Sequence, residues 1–421
     1  MGAAGFPGLR CNRTRRLAIA YLLAVIAQAL WAASASADEN RLPSLAVAVR
    51  ETFDAFAVPT GKSPGTTLLN KVQLSGTLRG DDFGLKGWSF HAQIFRFDGQ
   101  SLSRRMGDIQ TADNIETVPV TRLFEAYLAK VWGNKDRSLG IRFGLIDLNS
   151  QFDTNDAASL MLNSSHGIGP DISRSGRNGP SIYPVTGAGS TITWTAAPIW
   201  TFRLGVFDGV AGGPTHSRAF LAERLKPNDG LLMIAQADWE ISKAAEVEAG
   251  TWTYTATRLG PSGHKAHDRG AYVSYQAPLS WLPHLAFWIR AGFANGQAQT
   301  VAGYLGGGFV QQGGITGRPD DKVGIAIAHA IIGTSAANAL RLPNAETNFE
   351  LTYQAKISRH FVIQPDVNYI RCPAGEACAP DSVGVGIRFV YATAYPIRMT
   401  ASDPGDPTVP PDSSSPPSDE E

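Results

Sequence analysis

The sequence is poor in charge and in cysteine, and it has no excess of basic residues. Charged residues make up 18% of the 421 residues, there are three cysteines, and 37 Lys and Arg balance 37 Asp and Glu. This balance argues against nucleic acid as a ligand, because neutralising phosphates needs a basic surplus. After residue 37 no uninterrupted apolar stretch approaches the roughly 20 residues of a spanning helix. The chain does hold 44 glycines and 9% aromatic residues, which leaves a β-rich protein.

The first 37 residues have the pattern of a cleaved export signal. Four arginines between residues 10 and 16 precede a mostly apolar run over 17–31, and Ala35-Ser36-Ala37 supplies a small-x-small cleavage motif. An N-terminal membrane anchor is the alternative, but the run is short for a span. We therefore expect residues 1–37 to be removed on export.

Two cysteines remain after such cleavage, Cys372 and Cys378, six positions apart. Export and an even count favour a disulfide that closes this small loop. A zinc site would need two further ligands at close spacing, and none is near in the sequence. No motif calls for a metal or another cofactor.

Period-two alternation of polar and apolar residues recurs along the chain and predicts strands. The sixteen predicted strands cover 44–57, 67–79, 87–98, 121–132, 139–149, 188–197, 200–210, 230–241, 246–258, 269–278, 285–295, 303–313, 321–332, 346–357, 360–371 and 381–392. Most have about the length that a tilted strand needs to cross a bilayer.

The connections between these strands alternate between short turns and longer polar loops, such as Pro198-Ile199 against 150–187. An up-and-down barrel with short turns on one rim and long loops on the other has this asymmetry. The predicted fold is an all-β, transmembrane, antiparallel up-and-down barrel of about sixteen strands over residues 38–399. A structureless loop as long as 150–187 is unusual unless it is functional, and we expect this third long loop to fold into the pore.

The polar faces of the strands contain Arg, carboxylates, Gln and Gly and little Lys, unlike a well-solvated exterior. We predict that they line a lumen; in 121–132, Phe124, Ala126 and Leu128 are expected outside and Glu125 and Tyr127 inside. A soluble β-sandwich would alternate as well, but sixteen long strands would not close one dry core. The candidate pore-lining and sugar-contacting residues are Glu125, Tyr127, Arg142, Arg203, Trp288, Arg290, Glu350, Asp366 and Arg388. For each of them, an ion pair that stiffens the wall is an equal alternative.

Residues 400–421 differ from the rest, with six prolines and six acidic residues. This composition cannot bury a core, so we expect a disordered tail.

Several segments resemble the OprB-type carbohydrate-selective porins of Gram-negative outer membranes. They include Gly107-Asp108-Ile109-Gln110, Arg122 to Tyr127, Gly144 to Phe152, Leu162 to Gly167 and Gln364 to Tyr369, and the similarity extends over roughly residues 42–392. The resemblance implies a sixteen-stranded barrel in the lipid of the outer membrane, commonly a homotrimer. It also implies passive diffusion of monosaccharides and small oligosaccharides.

The sequence therefore predicts a carbohydrate porin without catalytic activity. A general, non-selective porin is the main alternative. A barrel enzyme, for which Glu125 and Glu350 could be imagined as a glycosidase pair, and a soluble periplasmic sugar-binding protein are further ones.

Overall fold

Sixteen strands form the whole framework of the protein in the computed structural model. The structure describes residues 45–397 except 214–216, 224, 243, 314–316 and 378. The strands are β1 (Leu45–Thr60), β2 (Gly65–Arg79), β3 (Trp88–Gly99), β4 (Val120–Gly133), β5 (Ser138–Ile146), β6 (Gly187–Ala197), β7 (Trp200–Asp208), β8 (Leu231–Ser242), β9 (Ala245–Leu259), β10 (Lys265–Leu279), β11 (Leu282–Ala294), β12 (Val301–Gln312), β13 (Lys322–Ile332), β14 (Ala345–Lys356), β15 (Phe361–Arg371) and β16 (Ser382–Ile397).

Each strand pairs antiparallel with its sequence neighbours, and β16 returns to pair with β1. The seam is long, running from Leu45 opposite Ile397 to Thr60 opposite Val383. A closed barrel leaves no strand edge with unpaired backbone groups. The predicted sixteen-stranded antiparallel barrel is thus confirmed.

Short helices occur only in the connections among the described residues. They are α1 (Leu102–Met106), α2 (Ser164–Gly167), α3 (Pro170–Ser173) and α4 (Thr334–Leu340), with single 3-10 turns at Asp81–Phe83, Leu148–Ser150 and Ala158–Leu160. None of the helices in this part of the chain is long and apolar enough to span a membrane.

The two rims of the barrel differ as the sequence predicts. One rim holds the first residue of β1 and the last residue of β16. Its turns are as short as residues 198–199 and 280–281, and we call it the short-turn rim. The opposite rim holds loop 2 (residues 100–119, between β3 and β4) and loop 3 (residues 147–186, between β5 and β6). Such asymmetry is typical of membrane-spanning barrels.

The outer face of the barrel is apolar over most of its circumference. Phe143 on β5 is 72% exposed and Phe293 on β11 is 64% exposed, although both belong to regular strands. Polar neighbours in the same strands, such as Arg290 at 5%, are buried on the inside. The hydrophobic pattern of a soluble barrel is therefore inverted, as in a barrel surrounded by lipid.

Phe124 faces the lumen, so its predicted outward position is wrong. A β-bulge lies here, because Gln93 pairs with Glu125 while the next residue, Ile94, pairs with Leu123. The extra residue turns Phe124 inward, where its ring lies 5.8 Å from that of Tyr183 in loop 3. A bulge shifts the alternation of a strand by one residue, and the sequence pattern does not reveal it.

Candidate functional site

The lumen contains a cavity of about 830 Å³ between the inner wall and loops 2 and 3. Strands β1 to β4, β14, β15 and β16 supply the wall side. Its polar lining includes Arg50, Thr52, Lys71, Gln73, Gln93, Asn114, Glu116, Arg122, Glu125, Asp147, Asn149, Arg174, Gln354, Gln364 and Arg388. The lining of this one cavity thus combines arginine and lysine donors with carboxylate and amide groups.

Loop 3 is fixed to the wall by Arg290 on β11. The guanidinium Nε lies 2.7 Å from Oδ1 of Asp153, and Nη1 lies 2.6 Å from Oδ1 of Asp171. The rings of Tyr272 and Tyr304 lie on either neighbouring strand, with centroids 5.1 Å and 5.3 Å from the guanidinium carbon. Both carboxylates are in loop 3, and we call this group the Arg290 clamp.

Two glycines make room for the Arg290 clamp. A Cβ on Gly169 would stand 2.0 Å from Nη1 of Arg290, and a Cβ on Gly292 would stand 2.3 Å from Oδ2 of Asp171. Any larger residue would therefore displace the ion pairs. The close approach of loop backbone to the strand depends on these positions.

Glu350 on β14 holds a second point of loop 3. Its carboxylate accepts hydrogen bonds from the backbone N–H groups of Leu162 at 2.5 Å and Asn163 at 3.0 Å. His166 lies 3.8 Å from the same carboxylate and is fully buried against Trp288, whose ring centroid is 6.0 Å away. Burial lowers the pKa of His166 to about 3, so the imidazole is neutral at physiological pH.

Loop 2 is fixed in the same manner by Arg388 on β16. Its Nη2 lies 2.7 Å from Oδ2 of Asp54 on β1 and 3.0 Å from Oδ1 of Asp113 in loop 2. Burial and the adjacent Asp54 carboxylate raise the pKa of Asp113 well above its usual range. Arg388 therefore binds one carboxylate on a strand and one carboxylate in a loop.

The nine predicted pore-lining residues all face the interior, but they have different surroundings. Arg290, Glu350 and Arg388 are bound to the loops, and Trp288 is 3% exposed beneath loop 3. Asp366 is buried and accepts a hydrogen bond from Asn368 at 2.5 Å. For Trp288, Arg290, Glu350 and Asp366 the structure favours fixed contacts within the protein over free contact with a solute, whereas Arg388 binds loop 2 and also lines the cavity.

The other four predicted residues remain accessible or border the cavity. Glu125 lines the cavity and accepts a hydrogen bond from the N–H of Asp147 at 3.1 Å. The guanidinium of Arg142 lies over the ring of Tyr127, 5.1 Å from its centroid, and both residues are half-buried. Arg203 pairs with Asp238 and is also half-buried.

Sequence reasoning missed Arg50, Lys71 and Arg174, which all line the cavity. Arg50 follows Val49 and Lys71 precedes Val72, but Glu51 and Asn70 on their other sides interrupt the alternation that would have assigned them to the inside. Lys71 Nζ lies 4.5 Å above the ring of Tyr183. Arg174 donates from Nε to the carbonyl of Ile109 at 2.9 Å, a contact that links loop 3 to loop 2. Nothing in the local sequence indicates it.

A second cavity, of about 710 Å³, lies near the short-turn rim and shares Ser159 and Leu160 of loop 3 with the first. Close to it, carboxylate oxygens of Asp238, Glu246 and Glu248 lie within 4.8 Å of one another. All three carboxylates already have partners: Asp238 pairs with Arg203, Glu246 accepts from Gln276, and Glu248 accepts from Thr154. We assign no metal to this group.

The predicted disulfide stays a prediction. Cys372 is exposed and has no disulfide partner among the described residues, and Cys378 lies outside them. The predicted leader and tail, 1–37 and 400–421, lie outside the described residues as well.

Solved structures of outer-membrane proteins have a similar fold. The high-pH structure of Pseudomonas putida OprB aligns with a TM-score of 0.73 at 15% identity, covering 83% of this chain and 94% of that one. The outer membrane channel DcaP of Acinetobacter baumannii aligns with a TM-score of 0.55 at 10% identity, covering 85% of this chain and 100% of that one. At such identities the likeness shows the fold alone. No curated protein matches the chain significantly.

A match to a protein-family model identifies the family of this chain, which the fold alone does not. The model described as the carbohydrate-selective porin, OprB family, matches residues 81–391, most of the barrel. The match includes both anchored loops and thirteen of the fourteen strands from β3 to β16 in full, with β16 matched as far as residue 391. The chain belongs to the OprB family of carbohydrate-selective porins, whose members are outer-membrane channels.

Proposed function

We propose that this porin conducts neutral monosaccharides and small oligosaccharides by diffusion, and that the 830 Å³ cavity is where they are selected. The observation that carries the proposal is the composition of the cavity wall. A sugar presents hydroxyl donors and acceptors around its edge, and the wall supplies guanidinium, carboxylate and amide groups at several heights. Many weak contacts allow a solute both to enter and to leave.

The near balance of charge in the barrel supports a neutral solute. Residues 38–399 hold 33 basic and 31 acidic side chains once the leader arginines and the tail acids are set aside. Mixed charges give strong local dipoles with little net field. A pore for phosphate-type anions would need a clear basic excess in its wall.

The remaining parts of the chain fit export to the outer membrane. Residues 1–37 would direct export and be cleaved, residues 400–421 would extend into the periplasm, and three copies would assemble in the lipid. No step of covalent chemistry is needed for this function, and no cofactor takes part in it.

Liposome swelling with graded sugars tests the proposal. We expect glucose to enter liposomes containing the porin several-fold faster than a disaccharide of the same concentration. Rates that differ only in proportion to the diffusion coefficients of the two sugars would indicate a general, non-selective porin instead. Absence of swelling with a heat-modifiable, folded barrel would contradict a pore altogether.

Arg142 does not line the cavity itself, but its charge acts on Glu125, which does. It provides the residue-level test, because no carboxylate neutralises it among the described ion pairs and it lies over Tyr127. Arg142→Ala should weaken block of single-channel current by sugars several-fold and change the anion-over-cation permeability ratio little. Arg137→Ala, in an exposed turn of the short-turn rim, is the matched control. A strong shift of reversal potential with unchanged sugar block would show that Arg142 sets ion selectivity.

A further inference from the structure

The outer face of β10 carries a lysine, a histidine and an arginine in a row, at the rim that holds loops 2 and 3. They are Lys265, His267 and Arg269. On the neighbouring strand β9, Thr257 lies opposite His267 and Thr253 lies opposite Arg269. All five residues are exposed, and we call them the outer basic patch.

The residues between the members of the patch show that it faces away from the lumen. Asp268 is buried and accepts a hydrogen bond from the N–H of Gly176 in loop 3 at 2.9 Å. On β9, Tyr254 directly follows Thr253 and is buried, with its hydroxyl 3.1 Å from Oγ of Ser175 in loop 3. Because side chains alternate between the two faces of a strand, the patch lies on the outside of the barrel.

The patch begins where the apolar part of the outer face ends. Toward the short-turn rim, the next outward residues of β10 are Ala271 and Val273, and Val273 is 47% exposed. Phe293 on β11 lies opposite Ala271 and is 64% exposed. Aromatic residues border the apolar band of membrane-spanning barrels. Arg269 is one outward position beyond this border, at the depth of the lipid head groups.

No carboxylate of the protein pairs with the patch within the described part of the chain. Asp268 binds Arg258 on β9, with Oδ2 3.2 Å from Nη1. Asp229, which shortly precedes β8, binds Arg177 of loop 3 at 3.0 Å. The side chains of these two acids are only 1% and 7% exposed, so their charges are buried and already paired.

Other basic residues near the same rim do have acidic partners. Arg96 on the outer face of β3 donates from Nε to Oδ2 of Asp98 at 2.6 Å. Lys62, in the turn after β1, pairs with Glu376. The outer basic patch therefore differs from them in carrying two positive charges that the described protein groups leave unneutralised.

We propose that the outer basic patch binds the phosphorylated head group of a glycolipid in the outer leaflet of the membrane. Phosphate oxygens would bind the ammonium of Lys265 and the guanidinium of Arg269, since both groups are strong phosphate ligands. The hydroxyls of Thr253 and Thr257 would bind hydroxyls of the sugar.

Charge and spacing support this choice of ligand. Lys265 and Arg269 are four positions apart on one strand, roughly 14 Å, so they suit two phosphates on one large head group. A second copy of the chain would bring the same positive charges and is a poorer match. The proposal needs only a barrel in the outer membrane and does not depend on which solute passes through the pore.

Native mass spectrometry of the detergent-purified porin with defined lipids tests the proposal. The probes are diphosphoryl lipid A, monophosphoryl lipid A and phosphatidylglycerol at equal concentrations. We expect the porin to bind the diphosphoryl form several-fold more than either of the others. Replacing Lys265→Gln together with Arg269→Gln should reduce this binding several-fold, because the amides keep polarity but remove both charges.

Arg96→Gln is the matched control, since it also removes an outward arginine but one that has its own carboxylate. It should bind lipid A like the wild type. Heat-modifiable migration and unchanged conductance would show that every variant is folded, because the patch lies outside the lumen. Equal binding of diphosphoryl lipid A by the wild type and the double variant would overturn the site. Equal binding of phosphatidylglycerol and lipid A would overturn the assignment to a glycolipid.

Discussion

Single arginines decide how the loops of this porin are held. Arg290 has a side chain that is 6% exposed, and its partners Asp153 and Asp171 are 3% and 0% exposed. Burying charges is costly unless each one is paired and hydrogen-bonded. The clamp meets this condition because the two carboxylates use three of the guanidinium nitrogens.

Removing the charge of Arg290 should destabilise the protein strongly. Arg290→Gln leaves two buried carboxylates without a cation, and breaking such a group costs about 3–5 kcal/mol. Arg290→Lys should lie between the wild type and this variant, because an ammonium cannot bind two carboxylates in the same fork geometry. The measurement is the temperature at which the folded band disappears in heat-modifiability gels.

Arg203→Gln is the control for the clamp, since the side chain of Arg203 is 22% exposed, against 6% for Arg290, and pairs with one carboxylate, that of Asp238. Its effect should be clearly smaller. Equal losses for Arg203→Gln and Arg290→Gln would show that the clamp has no special role. A variant Gly292→Ala tests the geometry separately, because its Cβ would collide with Asp171 while all charges remain.

Asp108 in loop 2 should make the stability depend on pH. Burial and the nearby carboxylates of Glu346 and Glu116 raise its pKa to about 8. The folded protein therefore binds a proton that the unfolded chain releases near pH 4, and stability falls as pH rises from about 4 to 8. The slope is at most about 1.4 kcal/mol per pH unit.

Asp108→Asn removes this ionisable group and keeps an oxygen for the N–H of Ala112, which donates to Asp108 at 3.0 Å. We expect the melting temperature of the wild type to fall between pH 5 and 8 more than that of the variant. Parallel melting curves for the two proteins across this range would contradict the assignment to Asp108.

Among the elements of the fold, loop 3 contains a lobe whose two ends bind the same arginine. Asp153 and Asp171 both bind Arg290, so the 17 residues 154–170 leave the wall and return to the same side chain. Within this lobe, the N–H of Thr154 donates to Glu248 on β9 and the N–H of Leu162 donates to Glu350 on β14. The lobe also supplies Ser159 and Leu160, which border both cavities.

Excising residues 156–168 and joining the ends with a short glycine linker should merge the two cavities. Because both clamp aspartates remain, the barrel should stay folded, and single-channel conductance should rise about two-fold or more with looser size exclusion. A variant lacking the exposed residues Ser262 and Gly263, in the connection between β9 and β10 on the same rim, is the control for shortening a loop. Unchanged conductance in a folded excision variant would show that the lobe does not restrict the pore.

At the scale of the whole molecule, closure depends on the seam between β1 and β16. Pairing reaches Ile397, a few residues before the acidic tail begins. Ending the chain after residue 399 should therefore leave a heat-modifiable barrel in the outer-membrane fraction with unchanged conductance. Recovery of this variant only as unfolded or soluble protein would show that the tail is needed for assembly.

The framework of the barrel could be predicted from residue patterns along the chain. Alternation with period two and the unequal connections predicted sixteen strands and their two rims, since side chains of a strand point to opposite faces whatever surrounds it. Some strand ends differ from the predicted ones by a few residues: β16 continues to Ile397, whereas the predicted strand ends at 392. Glu125, Arg290 and Arg388 were correctly expected on the inside for the same reason.

The contacts that those inward residues make became visible only in the folded barrel. Arg290 meets Asp153 and Asp171 across 137 and 119 positions of the chain, and Arg388 meets Asp113 across 275. No local pattern encodes such contacts, because they depend on how loops 2 and 3 fold back through the lumen. The bulge that turns Phe124 inward is equally a property of pairing, for it arises where two strands differ by one residue in length.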